Sequence, residues 1–168
     1  KPRRMNKVIT HTRRVPRIKR DASGNPIFPL KVGILRLINV GTVVADRPEF
    51  HNERYIWPVG YKVSRPFASL VDKDRDTTVT CTVLDGGNGP RFMLEFADIP
   101  DQPIIAQTAT GAWTAAVRRA NELRQREHSN SASGPDYFGF SNSLIAKIIQ
   151  ELPNAEKCLN YHRQTFEE

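Results

Sequence analysis

The chain has 168 residues, of which 39% are hydrophobic and 26% charged, and this length fits one domain with a buried core plus a tail. No apolar run approaches the roughly 18 residues of a membrane span, so we expect a soluble, intracellular protein with no membrane partner. Cys81 and Cys158 have no His or Cys at metal-ligand spacing beside them, which argues against a zinc site and favours a buried free thiol at Cys81.

The net charge of +7 is concentrated at the start of the chain. Nine of the 25 Lys and Arg residues lie within the first 20 positions, which contain no Asp or Glu, so the rest of the chain carries 16 basic against 18 acidic side chains. We therefore predict an extended basic arm, which with a turn-forming linker covers residues 1–26. Such an arm suits DNA, a nucleosome or an acidic protein surface, although an import signal or a solvated tail would have the same composition. Its predicted contact residues are Arg3, Arg4, Lys7, Arg13, Arg14, Arg17, Lys19 and Arg20.

Strand signals extend from about residue 28 to residue 96. Short β-branched or alternating runs predict strands, at residues 34–40, 42–45, 61–69, 78–84 and 91–96. Pro66 indicates an edge strand or a bulge, because proline has no N–H to donate to a ladder. Three glycines between Asp85 and Pro90 predict a hairpin turn, and the missing Walker lysine argues against a phosphate-binding loop there.

The first helix signal follows the strands. A stripe of apolar residues at helical spacing predicts a helix over residues 112–126, with Thr110 as a candidate N-cap. The stripe comprises Trp113, Ala116, Val117, Ala120 and Leu123. The composition of residues 128–135 then predicts an exposed loop.

A second helix is predicted over residues 141–152, with Ser141 as its N-cap and Pro153 as its end. Its apolar stripe comprises Leu144, Ile145, Ile148, Ile149 and Leu152. Strands followed by helices predict an α+β domain. We expect an antiparallel sheet of about six strands with two main helices packed on one face.

Two aromatic blocks are the most informative part of the sequence: Tyr55-Ile56-Trp57-Pro58-Val59-Gly60-Tyr61 and Asp136-Tyr137-Phe138-Gly139-Phe140. Each combines a glycine with aromatic residues, as in a packed corner where backbones approach closely. The first block is preceded by Arg47-Pro48-Glu49-Phe50-His51, and the second is followed by Cys158-Leu159-Asn160-Tyr161. Together these segments resemble the paired FYRN and FYRC motifs of trithorax and mixed-lineage-leukaemia-type histone methyltransferases and of transforming growth factor beta regulators.

The resemblance implies a single FYR domain over residues 27–168, with the FYRN half at about 28–90 and the FYRC half at about 91–166. It implies a non-catalytic, chromatin-associated protein-interaction module in the nucleus, whose partners are other subunits of a chromatin-regulating complex. Trp57 and Pro66 depart from the usual family pattern. The motif core that the resemblance assigns comprises Phe50, His51, Trp57, Pro58, Gly60, Tyr61, Arg65, Tyr137, Phe138, Gly139, Phe140, Cys158 and Tyr161.

No nucleophile and base stand at a recognised catalytic spacing, so we expect no enzyme, no cofactor and no small-molecule substrate. A hydrolase site assembled only in space is a distant alternative. A histone-tail or methyl-lysine reader is the main alternative, because aromatic faces attract quaternary ammonium groups. The glycines in the two blocks favour core packing over such a cage, whose candidate residues are Trp57, Tyr61, Phe67, Tyr137, Phe138 and Phe140. The His51 side chain is interpreted as a hydrogen-bond partner of a turn.

Overall fold

The computed structural model describes residues 12–127 and 129–168. Its strands are β1 (Thr12–Arg14), β2 (Leu30–Val32), β3 (Leu35–Asn39), β4 (Lys62–Ala68), β5 (Asp76–Asp85), β6 (Pro90–Phe96), β7 (Ile104–Ala106) and β8 (Thr165–Glu167). Six of them form one antiparallel sheet in the order β2-β3-β4-β5-β6-β7, whereas β1 and β8 form a separate parallel pair. The predicted α+β class and the antiparallel sheet of about six strands are confirmed.

The β5–β6 hairpin forms where the glycine cluster predicts it. Asp85 pairs with Pro90, and the Gly86 N–H donates to the Gly89 carbonyl oxygen at 2.8 Å, which closes the turn. Along β6 every second residue is buried, so one face of the sheet contributes Phe92, Leu94 and Phe96 to the core.

The sheet differs from the prediction at three places. The predicted strand at residues 42–45 contributes only one bridge, between Thr42 and Val59. The ladder stops there because Pro58 has no N–H and its carbonyl oxygen accepts the Tyr61 N–H in a turn, at 3.2 Å. Strands β2 and β7 were not predicted, since three residues are too few to leave a periodic pattern.

Pro66 lies in β4, which is an interior strand of the sheet. However, β3 pairs with β4 only as far as Ser64, whereas β5 pairs with it along its full length. Beyond Ser64, the side of β4 toward β3 is therefore a local edge, where a residue without an N–H is tolerated.

The helices are α1 (Ala109–Leu123), α2 (Gly134–Phe138) and α3 (Ser143–Gln150). The N-cap of α1 is Thr108 and not Thr110, because the Thr108 hydroxyl accepts the Gly111 N–H at 2.9 Å. Thr110 has another role, since its Oγ1 accepts the Gly134 N–H at 3.2 Å and so joins α1 to α2.

The start of α3 also differs by one residue from the prediction. Asn142 is its N-cap, and its Oδ1 accepts the N–H groups of Leu144 and Ile145. Ser141 donates its hydroxyl to the Asp136 carboxylate at 2.5 Å and is therefore not available as the cap. Two residues of the predicted loop at 128–135 belong to α2, which begins at Gly134.

Residues 12–20 lie against the domain, although they belong to the predicted arm. β1 pairs with β8, Val15 is buried, and the Arg13 guanidinium donates to the side chain of Gln164 and to the Ser141 carbonyl oxygen. Arg3, Arg4 and Lys7 lie outside the described residues. The predicted boundary between residues 26 and 27 stays a prediction.

We expect limited proteolysis to cut first within residues 129–133, which connect α1 to α2 and alternate between exposed and partly buried. The two fragments should still co-elute in gel filtration, because four of the five predicted stripe residues of α3 (Leu144, Ile145, Ile148 and Ile149) are buried. Burial of each is worth roughly 1.5 to 3 kcal/mol before entropy costs. Separation of the fragments without denaturant would contradict this prediction and the single-unit fold.

Candidate functional site

The two aromatic blocks meet in the core. Tyr61 from the first block is fully buried, and its hydroxyl donates a 2.7 Å hydrogen bond to the Phe138 carbonyl oxygen of the second. The Tyr61 and Phe140 rings lie 4.7 Å apart, and Phe138 stacks on Phe140 at 5.5 Å. The blocks are separated in sequence by about half of the chain, so this contact holds the two halves together.

Gly139 lies at the centre of this contact. Its φ is +90°, which L side chains rarely adopt, and it directly follows the last residue of α2. A Cβ at this position would be 2.7 Å from Leu35 Cδ1 and 2.9 Å from Ile145 Cδ1. The second aromatic block can therefore pack against Tyr61 only because this residue has no side chain.

A second cluster lies beside the first and includes a cation. The Arg65 guanidinium carbon is 4.6 Å from the centre of the Tyr137 ring and 5.4 Å from that of Trp113. Trp113 stacks on Tyr137 at 4.7 Å and meets Phe67 edge-on at 5.0 Å. Burial lowers the pKa of Arg65 from its usual value. The chain's own guanidinium thus covers the face of Tyr137, one of the aromatic residues of the candidate methyl-lysine cage.

Residues 47–51, which precede the first block, are joined to the β5–β6 turn by hydrogen bonds. Arg47 donates to both carboxylate oxygens of Asp85, at 2.9 and 2.7 Å, and its guanidinium carbon lies 4.4 Å from the Phe50 ring centre. Phe50 is fully buried, and the ring of the buried His51 lies with Nε2 3.4 Å from the Ala45 carbonyl oxygen. The arrangement fixes the entry to the first aromatic block.

The Arg47–Asp85 pair predicts a pH dependence. The side chain of Arg47 and the Gly87 N–H hydrogen-bond to the carboxylate and lower the pKa of Asp85 to about 2. Because this value is below the usual range near 3.9, the pair stabilises the folded state above about pH 4, and that stabilisation is lost as the pH falls toward 2. We expect D85N to be less stable than the parent at pH 7 and to lose less stability between pH 5 and pH 2.

Urea denaturation at several pH values would measure this difference. D101N is a matched control, since Asp101 is exposed and has no ion pair among the described residues. Parallel pH profiles for D85N and the parent would contradict the prediction.

Other motif residues complete the C-terminal packing. Tyr161 is largely buried and donates its hydroxyl to Gln150 Oε1 at 2.8 Å. Cys158 is buried, with its thiol 3.9 Å from the Asn154 carbonyl oxygen, and burial raises the pKa of both Cys158 and Cys81. Raised thiol pKa values reduce the reactive thiolate at neutral pH.

A groove of about 430 Å³ opens at the boundary between the two halves. Its walls are residues 49–57 on one side, the β5–β6 turn on another, and the start of α1 with Pro135 on a third. Trp57 meets Phe92 edge-on at 6.0 Å and lines this groove together with Tyr55. A mainly apolar concave site with a few polar groups is typical of binding sites.

The structure separates the predicted motif core into two parts. Trp57 lines the groove, whereas most of the other members pack inside the domain. Asn52, Asn88, Gln107 and Thr108 also line the groove, and the sequence analysis missed them because they come from three separate segments with no shared motif. Trp57 was marked in the sequence both by its departure from the usual family residue and as a candidate residue of an aromatic cage.

Within residues 12–127 and 129–168, no group of three or more His, Cys, Asp or Glu side chains is placed to hold a metal ion. No helix in that part of the chain is long and apolar enough to cross a membrane.

Comparison with known proteins adds two family matches. The model of the F/Y-rich N-terminus, FYRN, matches residues 27–86, and that of the F/Y rich C-terminus, FYRC, matches residues 89–167. The two ranges leave out only residues 1–26, 87–88 and 168, and the resemblance drawn from the aromatic blocks is confirmed.

Similar proteins fall into two groups. Transforming growth factor beta regulator 1 of Homo sapiens is 36% identical over 148 residues, covering 88% of this chain and 36% of that protein. The Xenopus tropicalis protein of the same name is 31% identical, over 99% of this chain and 42% of its own length. Histone-lysine N-methyltransferase TRX1 of Oryza sativa subsp. japonica is 34% identical over 79% of this chain and 14% of its length. The chain thus spans less than half of each of these relatives.

Proposed function

The chain belongs to the family of proteins that carry paired FYRN and FYRC regions, and from this we propose that it is a non-catalytic, chromatin-associated protein-interaction module. It acts in the nucleus as a subunit of a chromatin-regulating complex. The names of its relatives support this role, since the same region occurs in a regulator and in histone-lysine methyltransferases. A region shared by proteins of such different activities favours a common binding role over a common reaction.

The groove at the boundary of the two halves carries the proposal. It exists only when both halves are folded together, because its walls come from residues 49–57, the β5–β6 turn and the start of α1. We propose that a segment of another complex subunit binds there, with Trp57 and Tyr55 as its main apolar contacts. Aromatic anchors in a pocket dominate the binding energy of many interfaces.

Affinity capture from nuclear extract, read by quantitative mass spectrometry, tests this role. The chain should enrich subunits of chromatin-regulating complexes, and W57A should reduce their recovery at least fivefold. V71A is the control, because Val71 is an apolar residue that is exposed to solvent but does not line the groove. Absence of chromatin proteins from the wild-type sample would overturn the function, and equal recovery with W57A would overturn the groove as its site.

The methyl-lysine reader has less support. Of its candidate cage residues, Tyr61, Phe138 and Phe140 are buried in the core, and Arg65 covers the face of Tyr137. Tight binding of a trimethyl-lysine peptide, measured by calorimetry and abolished by W57A, would revive it.

We further propose that the basic arm contacts DNA or the nucleosome surface without sequence preference. Arg13 donates to the domain, and Arg17 and Arg20 lie 3.9 Å from the Glu168 carboxylate, so these cations are partly engaged within the chain. If about six cations of the arm meet phosphates, log K should fall with log salt at a slope of about −5.

Deleting residues 1–20 would also remove β1 and the buried Val15, so charge substitution is the sharper test. R3Q/R4Q/K7Q should make the slope shallower by about 3, as expected for the loss of three phosphate contacts. K73Q/R118Q/K157Q removes three exposed cations elsewhere and should leave it unchanged. Titration of a fluorescent DNA duplex at several salt concentrations measures the slope, and an unchanged slope in the arm variant would contradict the proposal.

A further inference from the structure

The six-stranded sheet has a second face, opposite the core. Strand residues alternate between the two faces, and the buried positions of β4, β5 and β6 include Val63, Cys81 and Leu94, which pair in register. Among the intervening positions on the other side, two cross-strand rows run across five strands each. One row contains Lys31, Arg36, Ser64, Thr80 and Glu95, and the next contains Asn39, Lys62, Thr82, Met93 and Ile105. We call these ten residues the outer face.

The outer face is not part of the hydrophobic core. Neither Met93 nor Ile105 packs in the core cluster, and Ile105 is 54% exposed. The Thr82 hydroxyl is buried and has no hydrogen-bond partner among the described residues. The face thus holds apolar surface that the chain itself leaves exposed at Ile105.

Charge on the outer face is concentrated at one end. Lys31 and Arg36 are direct cross-strand partners, and like charges in that position destabilise a sheet. Lys62 lies in the next row, and among the described residues none of the three cations has an ion pair or a side-chain hydrogen bond. Glu95 is the one carboxylate in the two rows, and it lies on β6, on the far side of β5 from the cationic end.

The opposite end of the outer face carries its apolar side chains, with Glu95 beside them on β6. Met93 on β6 pairs with Ile105 on β7, and Thr82 on β5 separates this pair from Lys62 within the same row. Six strands at a spacing of about 4.8 Å span about 24 Å, which an extended segment of seven or eight residues covers. The rows contain no aromatic side chain on which a nucleic-acid base could stack.

We propose that the outer face binds an acidic segment of a partner protein, whose carboxylates meet Lys31, Arg36 and Lys62 and whose aliphatic side chains meet Met93 and Ile105. Charge complementarity selects this occupant, and the proposal rests on the proposed function as an interaction module. A like-charged pair held without a counterion in a sheet is costly in the free chain, and an acidic partner removes that cost.

Selection of random 16-residue peptides by phage display, with the full chain as target, tests the proposal. The enriched peptides should combine several Asp or Glu residues with aliphatic residues. By fluorescence anisotropy, K31E/R36E/K62E should weaken the binding of a selected peptide at least tenfold. The control K73E/R118E/K157E makes the same change of net charge at exposed cations outside the outer face and should retain the affinity.

Each contrary outcome has a defined meaning. Peptides without acidic residues, no enrichment, or equal loss in the face and control variants would overturn the proposal. If a 20-base-pair DNA duplex binds the wild-type chain and the control variant equally but binds the face variant more weakly, the surface would be assigned to nucleic acid instead. If the wild-type chain and the face variant capture the same chromatin proteins, the face proposal fails while the proposed function stands; if the wild-type chain captures none, the proposed function itself fails.

Discussion

Replacing Gly139 by valine is expected to destabilise the domain by about 2 to 5 kcal/mol, which corresponds to a fall in melting temperature of roughly 5 to 15 °C. Two costs combine at this position. A β-branched residue is strained at a φ of +90°, and its Cβ would lie 2.7 Å from Leu35 Cδ1 and 2.9 Å from Ile145 Cδ1 in a packed core. Urea and thermal denaturation measure the effect.

Substitutions at two other glycines measure the backbone strain separately from the steric overlap. Gly87 has a φ of +84° and no atom within 4 Å of an added Cβ, so G87A measures backbone strain alone, at about 1 kcal/mol. Gly60 has a φ of +90° with its nearest contacts at 3.7 Å, so G60V should lie between G87A and G139V. If G139V melted like the parent yet lost partner binding, the second aromatic block would belong to the interface and not to the core.

Replacing Gly134 by alanine is expected to destabilise the domain by about 2 to 4 kcal/mol, although only one methyl group is added. The added Cβ would lie 2.1 Å from the Thr110 backbone nitrogen and 2.3 Å from the Ala109 carbonyl carbon. Backbone atoms cannot rotate away, so α2 must move off α1 and weaken the hydrogen bond from the Gly134 N–H to Thr110 Oγ1.

Gly89 provides the matched control for this substitution. It lies in the β5–β6 turn, and an added Cβ would have an ordinary contact of 3.5 Å with Glu49. G89A should therefore be close to neutral in urea denaturation. Equal midpoints for G134A and G89A would show that α1 and α2 can separate without cost, contrary to the packing described above.

The packing of the aromatic motifs bears on how this family should be probed. Tyr61, Phe138 and Phe140 hold the two halves together, so their substitution is expected to unfold the domain and would not report on a binding surface. Substitutions at the groove and at the outer face remove no fully buried core side chain, although Trp57 also contacts the buried Phe92. They are therefore the informative variants for function.

Local patterns in the sequence were enough to determine several elements. The three glycines between Asp85 and Pro90 predicted the β5–β6 turn, since turn chemistry depends only on neighbouring residues. The aliphatic stripe of α3 predicted its buried face for the same reason. The paired aromatic blocks, read as a resemblance, also determined the family.

Tertiary contacts decided what local patterns left open. Thr110 matches an N-cap as well as Thr108 does in sequence, and the contact with Gly134 settles which threonine caps α1. The pairing of β1 with β8 joins opposite ends of the chain, which no local pattern encodes.

Tertiary contacts also decided which motif residues line the groove and which pack in the core. Trp57 stands in one motif with Tyr61, yet one lines the groove and the other is fully buried. The sequence by itself determined the family, the α+β class and the elements whose stability is local. Only the tertiary structure decided which residues face solvent, because exposure depends on chain segments that are distant in sequence and become neighbours when the two halves fold together.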